Sequence, residues 1–322
     1  MDSYTLRGMV VAAMLGVGFN VSANGEAVRL LSQLAEATKA LNYQGVFVYV
    51  HDTAIEAMRI VHQAQDSHEQ ERLISLNGPA WEIIRDGTRI TRAFAIDKAM
   101  LVERREPQDL LRLAWSEPVE QISRYYDFKL LGDDRVAGHS TKMLLITPRV
   151  RDRYSYQLWI DTDSKLLLKS AVLDYAGKVL EQVMFVAIEI GQPISPAQLQ
   201  PELNGAGFTW YASGEPALVS TDQVATTLKV GWVPSGFSMK NSHTQRLVDR
   251  RMPVQHVVYS DGLALVSVFI EELMDNAPPL QGYSSMGAVN AFSRMAEKYQ
   301  ITVVGEIPQA TVRKIAASVA IN

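Results

Sequence analysis

The sequence predicts an α+β protein in two units, with antiparallel strands carrying most of the first. Three observations predict it. Between Arg135 and Ile190, four runs rich in β-branched, aliphatic and aromatic residues are separated by short polar turns such as Asp161-Thr-Asp-Ser164 and Asp174-Tyr-Ala-Gly177. Upstream, Asn77-Gly78 and Asp86-Gly87 are strong hairpin signals. Between them and the C-terminus, Pro193, Pro196, Pro201, Asn204 and Gly205 mark a boundary of low hydrophobicity.

Taken in order, the chain opens with Arg7, an apolar run from Met9 to Phe19, and the small residues Val21-Ser22-Ala23. That is the pattern of a cleavable signal peptide, residues 1–23, and the run is short for a membrane anchor. Removing 23 of the 322 residues leaves 299, and the net charge stays at −4 because Asp2 and Arg7 leave together. Asn24 to Leu41 has Ala27, Leu30, Leu31, Leu34 and Ala37 at helical spacing, with Asn24 placed to cap the helix. Tyr43 to His51 reads as a strand with Val46, Val48 and Val50 on one face and Phe47 and Tyr49 on the other.

Further strands are expected at 57–62, 72–76, 80–85 and 88–95. Short helical turns are expected after Pro107 and Pro118, with Val119 and Ile122 inward. In the last strand of the opening block, Val183, Phe185 and Ala187 face one way. Met184, Val186, Ile188 and Ile190 face the other. A sheet apolar on both faces needs two covers, helices on one side and a second layer or an apolar ligand on the other. The first unit is set at 24–195, a linker at 196–212 and a second unit at 213–322. In the latter, strands are expected at 228–233, 237–241, 254–260, 264–271 and 300–306. A closing helix at 308–319 turns Val312, Ile315, Ala316 and Val319 inward. Met286 to Ala296 fits helix and strand alike.

The chemistry is mostly a record of exclusions. Zero cysteines rule out disulfides, thiol nucleophiles and zinc–thiolate sites. The six histidines form neither a HExxH motif nor an i,i+4 pair. No phosphate-cradling glycine loop is present, and Gly282-Tyr-Ser-Ser-Met-Gly287 has the wrong spacing for a nucleophile elbow. A mildly acidic chain is a poor nucleic-acid binder. No catalytic residue, metal or cofactor is therefore expected. Two basic clusters remain: Arg149, Arg151 and Arg153 between two strands, and Arg246, Arg250 and Arg251 before Pro253. Both read first as solvated loops, and second as contacts for carboxylates or phosphates.

Several blocks together resemble a known family. Asn42-Tyr-Gln-Gly-Val-Phe-Val-Tyr49, Tyr126-Asp-Phe-Lys-Leu-Leu-Gly132, Arg135-Val-Ala-Gly138, Thr147-Pro-Arg149, Arg153-Tyr154 and Leu167-Leu-Leu-Lys-Ser170 lie in the first unit. Trp232-Val-Pro-Ser-Gly-Phe237, Tyr259-Ser-Asp-Gly-Leu-Ala264, Ser267-Val-Phe-Ile-Glu271 and Thr302-Val-Val-Gly-Glu-Ile-Pro308 lie in the second. In order and spacing they resemble the MucB/RseB family of periplasmic regulators of the sigma-E envelope-stress response. The segments 97–116 and 275–299 depart most from the pattern.

The resemblance implies an N-terminal half-open antiparallel β-barrel similar to the carriers LolA and LolB, with capping helices, and a smaller C-terminal α/β domain. It favours strand for 286–295. It implies a periplasmic, non-catalytic protein that binds the periplasmic domain of a single-span anti-sigma factor and shields it from site-1 proteolysis. Lipopolysaccharide or lipoprotein acyl chains would release it, and self-association into a homodimer or higher oligomer is a family property. A periplasmic lipid or lipoprotein carrier is the alternative. On this view Phe47, Tyr49, Trp81, Phe94, Trp115, Tyr125, Met143, Leu145, Trp159 and Met184 are candidates to line an acyl cavity. Arg149, Arg151 and Arg153 are candidates for acidic headgroups, and Arg246, Arg250 and Arg251 for the partner's acidic peptide.

Overall fold

A computed structural model of the chain describes residues 19–65, 68–104, 118–203, 207–212, 228–245, 254–273 and 278–321. Helix α1 (Phe19–Ala40) leads into strands β1 (Tyr43–His51), β2 (Ala54–Gln65), β3 (His68–Ser75), β4 (Trp81–Asp86), β5 (Arg89–Phe94) and β6 (Ala99–Arg104). After the single-turn helix α2 (Val119–Ile122) come β7 (Tyr126–Val136), β8 (His139–Pro148), β9 (Ser155–Asp161), β10 (Leu167–Leu173) and β11 (Val179–Ile190). Strand β12 (Thr209–Ala212) completes a twelve-stranded sheet in the order β12-β6-β5-β4-β3-β2-β1-β11-β10-β9-β8-β7. Every neighbour is antiparallel except β12, which runs parallel to β6. This is the half-open antiparallel architecture that the first unit was expected to have.

Helix α1 buries the stripe its spacing predicts: Ala27, Leu30, Leu31, Leu34 and Ala37 are all buried. The helix runs through Asn24 back to Phe19 instead of being capped at Asn24. Leu30, Leu31 and Leu34 meet Val119 and Ile122 of α2 and the inward row Leu144, Ile146, Tyr156, Leu158 and Ile160 of the sheet. Each leucine so buried contributes about 1.5–3 kcal/mol. Residues 107–117, where a helical turn was expected, and the signal-peptide run 1–18 lie outside the described residues.

The expected facing of β11 changes at one residue. Val46 pairs with Ala187 but Phe47 pairs with Phe185, so Val186 bulges out and is exposed. A bulge reverses the alternation beyond it. Ile188 and Ile190 therefore share the helix-side face with Val183 and Phe185, opposite to strict alternation.

The other face finds two covers within the chain. Lys169 Nζ sits 4.1 Å above the Trp159 ring, whose Nε1 donates to Asp134 at 2.7 Å. Farther along, the segment after β11 folds back over β2–β4. Ile194 and Leu199 pack on Val61. Arg72 Nε donates to Glu82 at 3.1 Å, its Nη1 donates to Gln198 O, and its Nη2 lies 3.0 Å from Glu202. Glu82 in turn accepts the amides of Glu202 and Leu203. So the first part of the expected linker lies strapped to the first unit, and its end adds β12 to the sheet.

The second unit is a six-stranded antiparallel sheet in the order β14-β15-β16-β19-β18-β17, with a two-stranded ribbon of β13 and β20. Its strands are β13 (Leu228–Val230), β14 (Ser238–Gln245), β15 (Val254–Ser260), β16 (Leu265–Glu272), β17 (Gly282–Met286), β18 (Val289–Ala296), β19 (Tyr299–Gly305) and β20 (Val319–Ile321). Helix α3 (Gln309–Ser318) lays Val312, Ile315 and Ala316, all fully buried, on Val266, Val268, Ile301 and Val303. Arg294 ties the helix end to the sheet by donating to Ala316 O and Val319 O. The stretch 286–296 holds the last residue of β17, a turn and the strand β18, so it is strand as the resemblance favoured.

Candidate functional site: the junction of the two units

Arg153 sits where the two units meet. It follows Pro148-Arg-Val-Arg-Asp in the connection between β8 and β9 and turns inward, 2 % exposed. Its Nη1 donates to Asp261 Oδ2 at 2.7 Å, its Nη2 to Ser235 O at 2.6 Å and its Nε to Asp152 at 2.8 Å. The guanidinium carbon lies 5.0–5.7 Å from the rings of Phe237, Tyr126 and Tyr125. Asp261 also accepts the Tyr126 hydroxyl at 2.8 Å and the amides of Leu263 and Ala264. Burial opposes the charge on Arg153, but Tyr126, Asp152 and Asp261 outweigh it and hold its pKa above the ordinary value. Burial also drives the Tyr126 phenol well above its usual value, with the Tyr156 phenol and Asp261 adding to the effect, so Tyr126 stays a donor.

Further contacts ring this pair. Asn290 Nδ2 donates to the Tyr154 hydroxyl at 2.9 Å and to Ile307 O at 2.7 Å. Thr311 Oγ1 donates to Asp152 O. The β17–β18 turn seats on the β1–β2 turn: Gly287 N donates to Asp52, and Ala288 N to Glu181, which also accepts the Tyr49 hydroxyl. His51 lies beneath, with Nε2 3.2 Å from Glu56 and Nδ1 3.7 Å from Asp52. Ala288 is fully buried in the core of the first unit. Close approach is built into the backbone at Gly236, whose φ is +93° and where a Cβ would meet the Tyr125 ring at 2.6 Å.

These positions correct three expectations. Arg153 is not available to a headgroup, because all its nitrogens are engaged inside the protein. Tyr125 belongs to the junction and not to a cavity wall. The cavity candidates also cannot line one space, because cross-strand partners share a face. Phe47, Tyr49, Trp81 and Phe94 fall on the helix-side face, whereas Met143, Leu145, Trp159 and Met184 fall on the other. Of the remaining headgroup candidates, Arg149 is exposed and paired with Asp127 at 3.0 Å, and Arg151 lies over the Tyr175 ring. Trp115, Arg246, Arg250 and Arg251 lie outside the described residues. Sequence reasoning missed Asp261 and Asn290, which read there as a turn and a strand residue. The one signal pointing to the junction was that Arg153-Tyr154 and Tyr259-Ser-Asp-Gly-Leu-Ala264 both stood out as blocks.

Fold and junction together define a two-domain protein, an open half-barrel locked to a small sheet-and-helix domain through a buried ion pair. A family model described as the MucB/RseB N-terminal domain matches residues 26–203, and one described as the MucB/RseB C-terminal domain matches 222–320. The sigma factor AlgU regulatory protein MucB of Pseudomonas aeruginosa is 32 % identical over 295 residues, 90 % of this chain and 89 % of that protein. The sigma-E factor regulatory protein RseB of Escherichia coli (strain K12) is 28 % identical over 318 residues, 96 % and 95 % of the two chains. The crystal structure of MucB in complex with MucA(peri) superposes with a TM-score of 0.73 at 30 % identity, covering 92 % of this chain and 99 % of that one. The complex structure of Pseudomonas aeruginosa MucA/MucB gives 0.74 at 29 %, with the same coverage. The chain belongs to the MucB/RseB family.

Proposed function

We infer that this chain is a non-catalytic periplasmic regulator that binds the periplasmic domain of a single-span anti-sigma factor and shields it from site-1 proteolysis. One observation carries the reading. The match to the sigma-factor regulatory proteins runs through both domains at nearly full length, and a MucB structure similar over 92 % of this chain holds MucA(peri). Export to the periplasm fits the apolar run Met9 to Phe19 with small residues at 21–23. In a cleavage assay, adding the mature chain to the anti-sigma periplasmic domain should slow its cut by a DegS-type protease. Equal cleavage with and without the chain would sink the proposal.

Release by acyl-chain signals belongs to the same reading, supported by the helix-side candidates Trp81 and Phe94, which stay partly exposed while Phe47 is packed in the core. Reversing the charges of Arg149 and Arg151 should weaken binding of a lipid A-like ligand, and an unchanged titration rejects that role. Arg246, Arg250 and Arg251 are proposed to meet acidic side chains of the partner. Pull-down that survives their reversal to Glu rejects it.

A further inference from the structure

The open edge of a sheet states by its own backbone what would cover it, because its outward N–H and C=O groups fit another strand. In the second domain β17 closes one edge of the six-stranded sheet. It pairs with β18, and Met286 stands opposite Val289 across the two-residue turn Gly287-Ala288. Such a turn makes its flanking residues a hydrogen-bonded pair, so Met286, Ser284 and Gly282 direct their backbone groups to β18. Tyr283 and Ser285 direct theirs outward, where no strand among the described residues takes them up. All five residues of β17 are exposed.

Edges that must stay single carry protective devices. The opposite edge of the same sheet, β14, is bulged at Lys240 and carries its charge. Strand β7, an edge of the large sheet, is bulged at Leu131 and carries Asp133, Asp134 and Arg135. Strand β17, Gly282-Tyr-Ser-Ser-Met286, has no charge, no proline and no bulge. It is also held in place. Gly287 N donates to Asp52 and Ala288 N to Glu181 at one end, and the Tyr283 hydroxyl bonds Asn290. Just before the strand, Leu280 N donates to Gln300 Oε1 at 2.7 Å. An edge already ordered loses little freedom on taking a further strand.

The side chains beside the edge select the strand. Tyr283 pairs with Phe292, and Arg313 of α3 lies over the Phe292 ring, its guanidinium carbon 5.9 Å from the centroid. Arg313 thus stands on the face of the sheet that carries Tyr283 and Ser285. It is exposed and meets no carboxylate among the described residues. Helix α3 holds Arg313 and Lys314 and no acid, in a chain whose net charge is −4. On the opposite face Met286 is 53 % exposed.

We propose that β17 takes up, as an added strand, an extended acidic segment of the anti-sigma partner, with a carboxylate meeting Arg313 and an apolar side chain covering Met286. This rests on the partner-binding reading above and deepens it, by assigning the partner's conformation and charge at one edge. A second copy of this chain fits the edge less well. Antiparallel pairing of two β17 strands about a twofold axis leaves both α3 helices on one side of the joined sheet, and sets Arg313 toward Arg313.

The test is titration of the chain with the periplasmic domain of the proposed anti-sigma partner, read together with amide hydrogen exchange. The native chain should bind, and binding should slow exchange at Tyr283 and Ser285 while β14 and β7 stay unchanged. Ser285→Pro removes an outward N–H and leaves the ladder to β18 intact. Its melting temperature should hold while affinity falls at least about tenfold. Arg313→Glu should lower affinity at least about fivefold, with a larger loss at low salt than at high salt. If Ser285→Pro fails to fold, Arg313→Glu and the exchange pattern carry the test. Native affinity in either folded variant, or slowed exchange at β14 or β7 in place of β17, would overturn the proposal and leave the proposed function standing. Loss of self-association alone in Ser285→Pro would give the edge to a second copy, and so overturn it too. No binding by the native chain would overturn both readings.

Discussion

At the residue scale the junction depends on Arg153. Its guanidinium is planar with five donors, and the pocket uses its three nitrogens in three directions, onto Asp152, Ser235 and Asp261. Removing one member of a buried pair leaves the other charge uncompensated, which costs about 3–5 kcal/mol. Arg153→Met should thus destabilise the protein by that amount in urea unfolding. Arg153→Lys should recover only part of it, because an ammonium cannot reach all three acceptors. A loss below about 1 kcal/mol for Arg153→Met would place the pair outside the stability of the fold.

His62 gives a pH-dependent expectation. It is buried, stacks on Tyr43 with ring centroids 4.6 Å apart, and hydrogen-bonds Leu41 O through Nδ1. Burial lowers its pKa below the ordinary 6.5, against the opposing pull of the Leu41 carbonyl. The unfolded chain therefore binds this proton more readily than the folded one. Stability is complete above pH 6.5 and falls as pH drops through that value toward the folded pKa. The melting temperature of the native protein should decline below pH 6.5, and His62→Gln should flatten that part of the curve. An equal decline in both proteins would assign it to other groups.

At the scale of elements, the strap between the domains is the least conventional piece. Arg72 and Glu82 are buried on the outer face of β3 and β4, and between them they hold one carbonyl, one carboxylate and two amides of residues 198–203. Glu82→Ala should free this segment, exposing bonds near 193–203 to protease while the rest of the domain stays resistant. An unchanged digestion pattern would show that Ile194 and Leu199 suffice to hold it.

The helices were legible in the sequence because their stripes are complete. The five inward residues read for α1 are buried, as are Val312, Ile315 and Ala316 of α3, while the fourth residue read for that helix, Val319, is buried in β20 and Thr311 joins the buried face unread. The strands between Asn-Gly and Asp-Gly turns were legible too, to within a few residues. The bulge at Val186 was not, since a single extra residue leaves no composition signal and yet flips Ile188 and Ile190. Strand β12 was hidden for a similar reason, as four residues inside a proline-bounded linker. Arg153 misled in the other direction: a basic loop residue next to Arg149 and Arg151 looks solvated until Asp261, 108 positions away, is brought beneath it.

At the scale of the whole molecule, the contacts at Arg153, Asn290, Thr311 and Gly287 make two domains behave as one body. Gly236→Ala would press a methyl group into the Tyr125 ring and should cost about 1–3 kcal/mol. Native protein should melt in one calorimetric transition, while Gly236→Ala or Arg153→Met should separate the two domains' transitions. Two resolved transitions in the native protein would mean that the junction is weaker than its buried ion pair implies.

The account turns on partner binding by this two-domain body, and isothermal titration measures it most directly. The chain, titrated with the periplasmic domain of the proposed anti-sigma partner, should bind saturably with a Kd of about 1 µM or tighter. Absence of binding heat and of co-elution at about 100 µM would contradict the account.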